Sequence, residues 1–172
     1  MKTLEIRRHS FRTQPNEHLS QKGVTLARKV GKKMGPFQRV ITSTLPRSFE
    51  TAIAMGFAVD EQNKLLNTYS EAVDAEVPWP QTFAVYASAV RTGGAAAKYA
   101  RRLNRFYVEL MESLPKDGAA LVVNHGGVVE LSAVACLPDA DYESFGPQCE
   151  QCEGVRLYWK KGKFIKIKLL RV

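Results

Sequence analysis

Leu121-Val122-Val123-Asn124-His125-Gly126-Gly127 is an unbroken apolar run closed by a histidine and a pair of glycines. Such a short run without polar alternation suits a strand buried on both faces, as in parallel sheets. Gly126-Gly127 then begins a helix through Val128, Val129, Leu131 and Val134. The same passage from strand towards helix occurs twice more. Leu4-Glu5-Ile6-Arg7-Arg8-His9-Ser10 reads as a strand over residues 3 to 8 that also ends on a histidine. Arg39 to Thr42 reads as another, leading into Ser43-Thr44-Leu45-Pro46, where proline in the first helical turn costs little because its missing N–H has no partner there. Three such units predict a three-layer α/β fold, a mostly parallel sheet flanked by helices. The carboxyl ends of its strands form the crevice where ligands bind, so His9, Arg47 and His125 are expected to converge despite their separation in sequence.

The remaining elements fit around this frame. Ser20 is the expected N-cap of a helix whose apolar face is Val24, Ala27, Val30 and Met34, ended by Gly35-Pro36. Residues 69 to 114 read as a mainly helical excursion over the pocket, with Tyr99, Leu103, Phe106 and Leu110 as a core-facing stripe. Lys98, Arg102 and Arg105 line up on the opposite face, solvated or placed at the pocket rim to collect anions. Val155 to Trp159 and Phe164 to Leu170 flank Lys160-Lys161-Gly162-Lys163 as a hairpin in which Ile165, Ile167 and Leu169 form the buried face.

Composition narrows the classes of function. The 172 residues suit a single domain, and 45% hydrophobic with 24% charged residues is ordinary for a globular protein. A net charge of +8, with basic clusters at Arg101-Arg102-Leu103-Asn104-Arg105 and at residues 160 to 163, favours a small anionic partner. Nucleic acid is unlikely on this reading, since no zinc-finger, RRM or helix-turn-helix pattern accompanies the charge. No apolar stretch reaches membrane-span length, and Glu5, Arg7 and Arg8 interrupt any signal-peptide core, so a cytoplasmic protein is expected. Cys136, Cys149 and Cys152 are an odd set that suits reduced thiols. Cys149-Glu150-Gln151-Cys152 has C-x-x-C spacing but no second pair, so neither a metal nor a cofactor is expected. The chain also lacks G-x-S-x-G, H-E-x-x-H, P-loop and dinucleotide-binding patterns.

Arginines beside histidines at strand ends suit a phosphoryl group. Guanidinium groups bind phosphate oxygens through paired, charge-assisted hydrogen bonds, and the helix N-termini after Ser43 and His125 would add backbone donors. A neutral imidazole can attack phosphorus if its other nitrogen is held in one tautomer.

In order along the chain, Arg8-His9-Ser10 resembles the R-H-G motif of the histidine phosphatase superfamily, and Leu19-Ser20 with Gly23 resembles its following helix start. Ser43-Thr44-Leu45-Pro46-Arg47-Ser48-Phe49-Glu50-Thr51-Ala52 and Val122-Val123-Asn124-His125-Gly126-Gly127-Val128 are similar to its two later blocks. The resemblance implies a phosphoglycerate-mutase-like fold for a single domain over residues 1 to 172. It makes His9 the phosphorylated nucleophile, with Arg8, Arg47 and His125 as the phosphate pocket and Asn16 and Arg12 as further phosphate contacts. The proton donor is expected in the L-x-E segment, for which Glu71 is the choice and Asp74 and Glu76 the alternatives. Ser10 stands for the usual glycine, Arg12 for an acidic or amide residue, and Asn124 for a hydroxyl residue. The implied activity is a histidine acid phosphatase-type phosphomonoesterase, acting through a phosphohistidine on a small phosphorylated metabolite or a phosphoprotein. A phosphoglycerate mutase is disfavoured by the short chain, and a catalytically weak phosphate-recognising protein is the alternative from another class.

Overall fold

In the computed structural model, which describes Met1–Val172, the two histidine-bearing runs are the two central strands of one sheet. They are β1 (Lys2–Arg8) and β4 (Ala119–Asn124). With β2 (Arg39–Thr42), the short β3 (Glu61–Gln62), β5 (Gly154–Lys160) and β6 (Lys163–Leu170), they form a six-stranded sheet in the order β3-β2-β4-β1-β5-β6. The pairs β2/β3, β2/β4 and β1/β4 are parallel, and the C-terminal hairpin adds antiparallel pairs at one edge. This is the α/β arrangement anticipated from the three strand-to-helix passages, a mostly parallel sheet flanked by helices.

Alternation along β4 divides the core. Ala120 and Val122 join Leu4, Ile6 and Ile41 on the face covered by α5 (Ala95–Ser113) and α6 (Val128–Cys136), whereas Leu121 and Val123 join Val40 beneath α2 (Pro46–Ala54). On that second face β1 carries Glu5 and Arg7, both buried, so the charges are closed internally. Glu5 accepts from Arg7 Nε at 2.8 Å and from Arg156 Nη2 at 2.6 Å, and Arg7 Nη1 donates to the Cys152 carbonyl at 2.9 Å. A buried charge left without such partners would cost several kcal/mol, on the order of 3–5.

Helix α1 (Gln21–Gly31) starts as expected, with Ser20 Oγ accepting from Gly23 N at 3.1 Å. It ends earlier than the pattern suggested. Lys33 and Met34 donate to the carbonyls of Val30 and Gly31, three residues back, so the chain tightens and leaves the helix before Met34. The excursion holds α3 (Glu71–Glu76), α4 (Phe83–Thr92) and α5. The buried stripe of α5 is Ala100, Leu103, Tyr107 and Leu110, while Tyr99 and Phe106 are half-buried. Tyr107 can lie inside because its hydroxyl pairs with Ser132 Oγ at 2.9 Å. The expected buried face of β6 is also corrected. Ile165 is 43% exposed and Phe164 is buried, because a register shift pairs Trp159 with Phe164 and Tyr158 with Lys166, leaving Ile165 as an extra residue. No helix is long and apolar enough to cross a membrane.

The contact between α1 and the loop after β1 allows no methyl group. A Cβ on Gly23 would lie 2.0 Å from the Phe11 carbonyl oxygen, and the Gly23 carbonyl accepts the Ser10 hydroxyl at 2.8 Å. Gly23→Ala is therefore expected to lower stability by about 1–3 kcal/mol, the scale of overpacking against backbone, measured as an earlier urea midpoint.

Candidate active site

The parallel register of β1 and β4 places Arg8 opposite Asn124, so His9 and His125 leave the sheet at the same level. His9 N donates to the Asn124 carbonyl at 2.9 Å, and the two rings face each other with centroids 5.2 Å apart and planes tilted by 57°. Arg47 enters from the first turn of α2, where it is buried. A cavity of about 730 Å³ opens above these groups.

His9 Nδ1 lies 2.7 Å from the Ser10 carbonyl, which can only accept, so the hydrogen bond assigns the proton to Nδ1. The lone pair is then on Nε2, where Arg47 Nε donates at 3.2 Å. Burial pushes His9 down from the ordinary 6.5 to about 3; the Ser10 carbonyl opposes this, and Arg47, Arg8 and Arg12 add to it. His125 is pushed down to about 2, first by burial and then by His9, Arg47, Arg8 and Arg12. Its Nε2 lies 2.8 Å from Ser43 Oγ and 3.3 Å from Ser48 Oγ. A hydroxyl donating there leaves Nδ1–H as the ring's donor, and no protein acceptor meets that atom.

Each arginine has its own support. Arg8 Nη1 donates to the Cys149 carbonyl at 2.8 Å, and its guanidinium lies 4.9 Å over the Trp79 ring. Arg12 Nη1 donates to Glu17 Oε1 at 2.9 Å, and Arg47 pairs with the same carboxylate. Arg47 is pushed down to about 10 by burial, then by Arg12 and Arg8, and stays charged at neutral pH. The paired glycines after His125 admit the roof. A Cβ at Gly126 would meet the Trp79 ring at 2.3 Å, and one at Gly127, with φ +78, would meet Tyr69 at 2.3 Å.

The structure brings Arg8, His9, Arg12, Arg47, Glu71 and His125 to one cavity and leaves two candidates outside it. Asn16 is exposed and does not line the cavity; Gln14, two residues earlier in the same loop, does. Glu76 turns away to accept from the Ala95 and Ala96 amides at the start of α5, bonds that hold its carboxyl below the usual range. Glu71 and Asp74 both line the cavity, and Asp74 Oδ1 also accepts from Trp79 N at 3.4 Å. Residues 98 and 102 border a shallower cleft that shares Thr68 and Tyr69 with the main cavity, while Arg105 lies elsewhere. No group of three or more His, Cys, Asp or Glu side chains could hold a metal ion.

Two acidic residues escaped the motif reading. Glu17 lies in the loop after the first motif and follows no spacing rule. Glu130, fully buried, accepts from Gly127 N and from Cys149 N, each at 2.7 Å. The capping spacing Gly127-x-x-Glu130 could have flagged the first bond, though not the second. The first bond takes Gly127 N–H out of the backbone donors expected after His125.

The model of the histidine phosphatase superfamily (branch 1) matches residues 2–170, so the chain belongs to that superfamily. No curated protein matches it in sequence. Among solved structures it is similar to a phosphoserine phosphatase from Entamoeba histolytica in complex with 3-phosphoglyceric acid, at TM-score 0.72 and 16% identity over 100% of this chain and 98% of that one. It is also similar to a mycobacterial glucosyl-3-phosphoglycerate phosphatase, at TM-score 0.66 and 21% identity over 99% and 98%. A phosphoglycerate mutase from Bacillus anthracis aligns at TM-score 0.68 and 16% identity over 99% and 92%. Identities this low establish the fold.

Neutral, buried imidazoles have a consequence in acid. Both folded values lie below the ordinary 6.5, so between about 3 and 6.5 the unfolded chain binds protons that the folded chain excludes. Stability is therefore expected to fall as pH drops from about 6.5 towards 3, and the ring signals of His9 and His125 should not titrate between pH 5 and 8. Urea midpoints across that range and histidine NMR titration check both; an inflection near 6.5 in either ring contradicts the assignment.

Proposed function

We propose that this protein is a phosphomonoester hydrolase of the histidine acid phosphatase type, working through a phosphohistidine on a small phosphorylated metabolite or a phosphoprotein. The observation that carries this reading is the His9 ring at the cavity that also holds Arg8, Arg12 and Arg47, fixed by the Ser10 carbonyl, with its Nε2 lone pair kept by Arg47 Nε until a phosphoryl group takes that donor. Nε2 attacks phosphorus as the ester P–O bond breaks, and the Ser10 carbonyl stabilises the charge that forms on the ring. Arg8, Arg47 and His125 Nδ1–H meet the negative oxygens, a contribution of roughly a hundredfold for each well-placed donor. Glu71 gives its proton to the departing alkoxide. Water then attacks phosphorus, Glu71 takes its proton, the P–N bond breaks and His9 returns neutral with inorganic phosphate as product. Arg12 is a further contact at the rim, provided Glu17 yields its place. Three buried free cysteines suit a reducing, cytoplasmic setting.

Turnover of a generic aryl phosphate tests the class. Rapid quenching is expected to trap an acid-labile, alkali-stable phosphoenzyme, and His9→Ala to abolish both adduct and turnover. A wild-type protein that binds phosphate without any turnover would instead be a recognition module.

The role of Glu71 is tested with two substrates. Proton donation is worth roughly a hundred- to ten-thousandfold and matters most for poor leaving groups. Glu71→Gln should lose most of its kcat/KM on an alkyl phosphate and much less on nitrophenyl phosphate. If Asp74→Asn alone shows that differential loss, the proton donor is Asp74.

A further inference from the structure

Glu130 has no place in the reaction above, yet its surroundings are unusual for a carboxylate. It is 0% exposed, sits one turn into α6 and forms no ion pair. Both oxygens are occupied by main-chain amides from separate segments. Oε2 holds Gly127 N–H, in the left-handed turn that follows His125, and Oε1 holds Cys149 N–H. The same Cys149 residue offers its carbonyl to Arg8 Nη1. One carboxylate therefore fixes the turn behind the histidine and the loop that carries an acceptor for the arginine.

That loop is the C-x-x-C segment, Cys149 to Cys152. Its backbone brackets the end of β1. Cys152 N donates to the Arg8 carbonyl at 3.1 Å, Arg8 N donates to the Glu153 carbonyl at 2.8 Å, and Arg7 Nη1 holds the Cys152 carbonyl. Cys152 adopts φ +63, a conformation an L residue keeps only where neighbouring bonds enforce it. Both thiols are buried, whereas Glu150 between them is exposed and Gln151 lines the cavity.

We infer that Glu130 is a positioning residue: its carboxylate ties the Cys149 peptide to the turn after His125 and so holds the Arg8 guanidinium where it meets the phosphoryl group. The inference rests on the proposed phosphate-binding role of the cavity. It depends on both oxygens being acceptors. In Glu130→Gln one oxygen becomes an NH₂ that confronts an amide N–H, so one tie is lost while size and shape are kept. Glu130→Asp is a methylene too short to span both amides and keeps at most one.

The test is a double-mutant cycle read by calorimetric binding of inorganic phosphate and by steady-state kinetics. Glu130→Gln is expected to weaken phosphate binding and raise KM by roughly tenfold, with Glu130→Asp between it and wild type. In an Arg8→Lys background, which lacks the fork that the Cys149 carbonyl orients, Glu130→Gln should add less than about twofold. A plain helix cap predicts another pattern, in which the urea midpoint falls, phosphate affinity and KM stay as in wild type, and any effects of the two substitutions multiply. That pattern overturns the inference. If wild type binds no phosphate, the functional reading fails separately, and the tie is judged from a crystal structure of Glu130→Gln. An Arg8 side chain still on the Cys149 carbonyl defeats it, and a displaced one supports it. Should Glu130→Gln fail to fold, Glu130→Asp is read by the same criteria.

Discussion

The parallel pairing of β1 with β4, in the register that sets Arg8 opposite Asn124, is the constraint on which the site depends. A slip of one residue would turn Leu4 and Ile6 out of the main core and carry Glu5 and Arg7 into it, so burial specifies this register strongly. The neighbouring strand reinforces it. Gly154 approaches β1 so closely that a Cβ there would lie 1.9 Å from the Ile6 carbonyl oxygen, which leaves β1 no lateral freedom. With the strands fixed, His9 N takes the Asn124 carbonyl as the next rung, and two histidines 116 positions apart in the chain share one pocket.

The pocket concentrates positive charge around groups that remain neutral. Arg8, Arg12 and Arg47 each work against protonation of His9 and His125, and burial does more than any of them. Burial lowers Arg47 most, and the same arginines add to it by disfavouring one another's charge. Glu17 offsets part of this by bridging Arg12 and Arg47, and the Trp79 face shelters Arg8. On the proposed reading, an arriving phosphate would have to outcompete a carboxylate for two of its own ligands. A dianion with three acceptor oxygens is better suited to several guanidinium forks than a single carboxylate is, which gives the exchange its direction.

Much of this was legible because the decisive signals are local. Around His125 an apolar run, the histidine at its end and a helix start follow one another directly, and the spacing of Arg47 from Ser43 is set by a single turn. What was not legible depends on side chains meeting across the fold. Glu71, Asp74 and Glu76 lie on one short helix, and only the packing of α3 against the start of α5 shows that Glu76 is engaged there. Asn16 and Gln14 belong to one loop whose path is fixed by the Arg12 to Leu19 bridge and by Glu50, which holds Leu19 N and His18. Ile165 and Phe164 exchanged places because a bulge shifts the period by one, which alternation alone does not reveal. Glu130 lies in an apolar helix and meets its second partner 19 residues away.

The departures from the family's pattern fall where the structure can absorb them. Ser10 has no left-handed backbone that would demand glycine, and its added hydroxyl donates to the Gly23 carbonyl while its amide donates to Thr51 Oγ1. The substitution therefore adds a tie between the loop after His9 and α1 instead of blocking the His9 ring. Asn124 is the last residue of β4, buried on the Tyr107 side. Its carbonyl, not its side chain, receives His9 N. Arg12 alone changes the charge of the cavity, and it does so at the rim, paired with Glu17. The departure that alters charge thus sits at the rim, while His9, His125, Arg8 and Arg47 share the floor of the same cavity, so on the proposed reading Arg12 bears on which substrate enters more than on the attack at phosphorus.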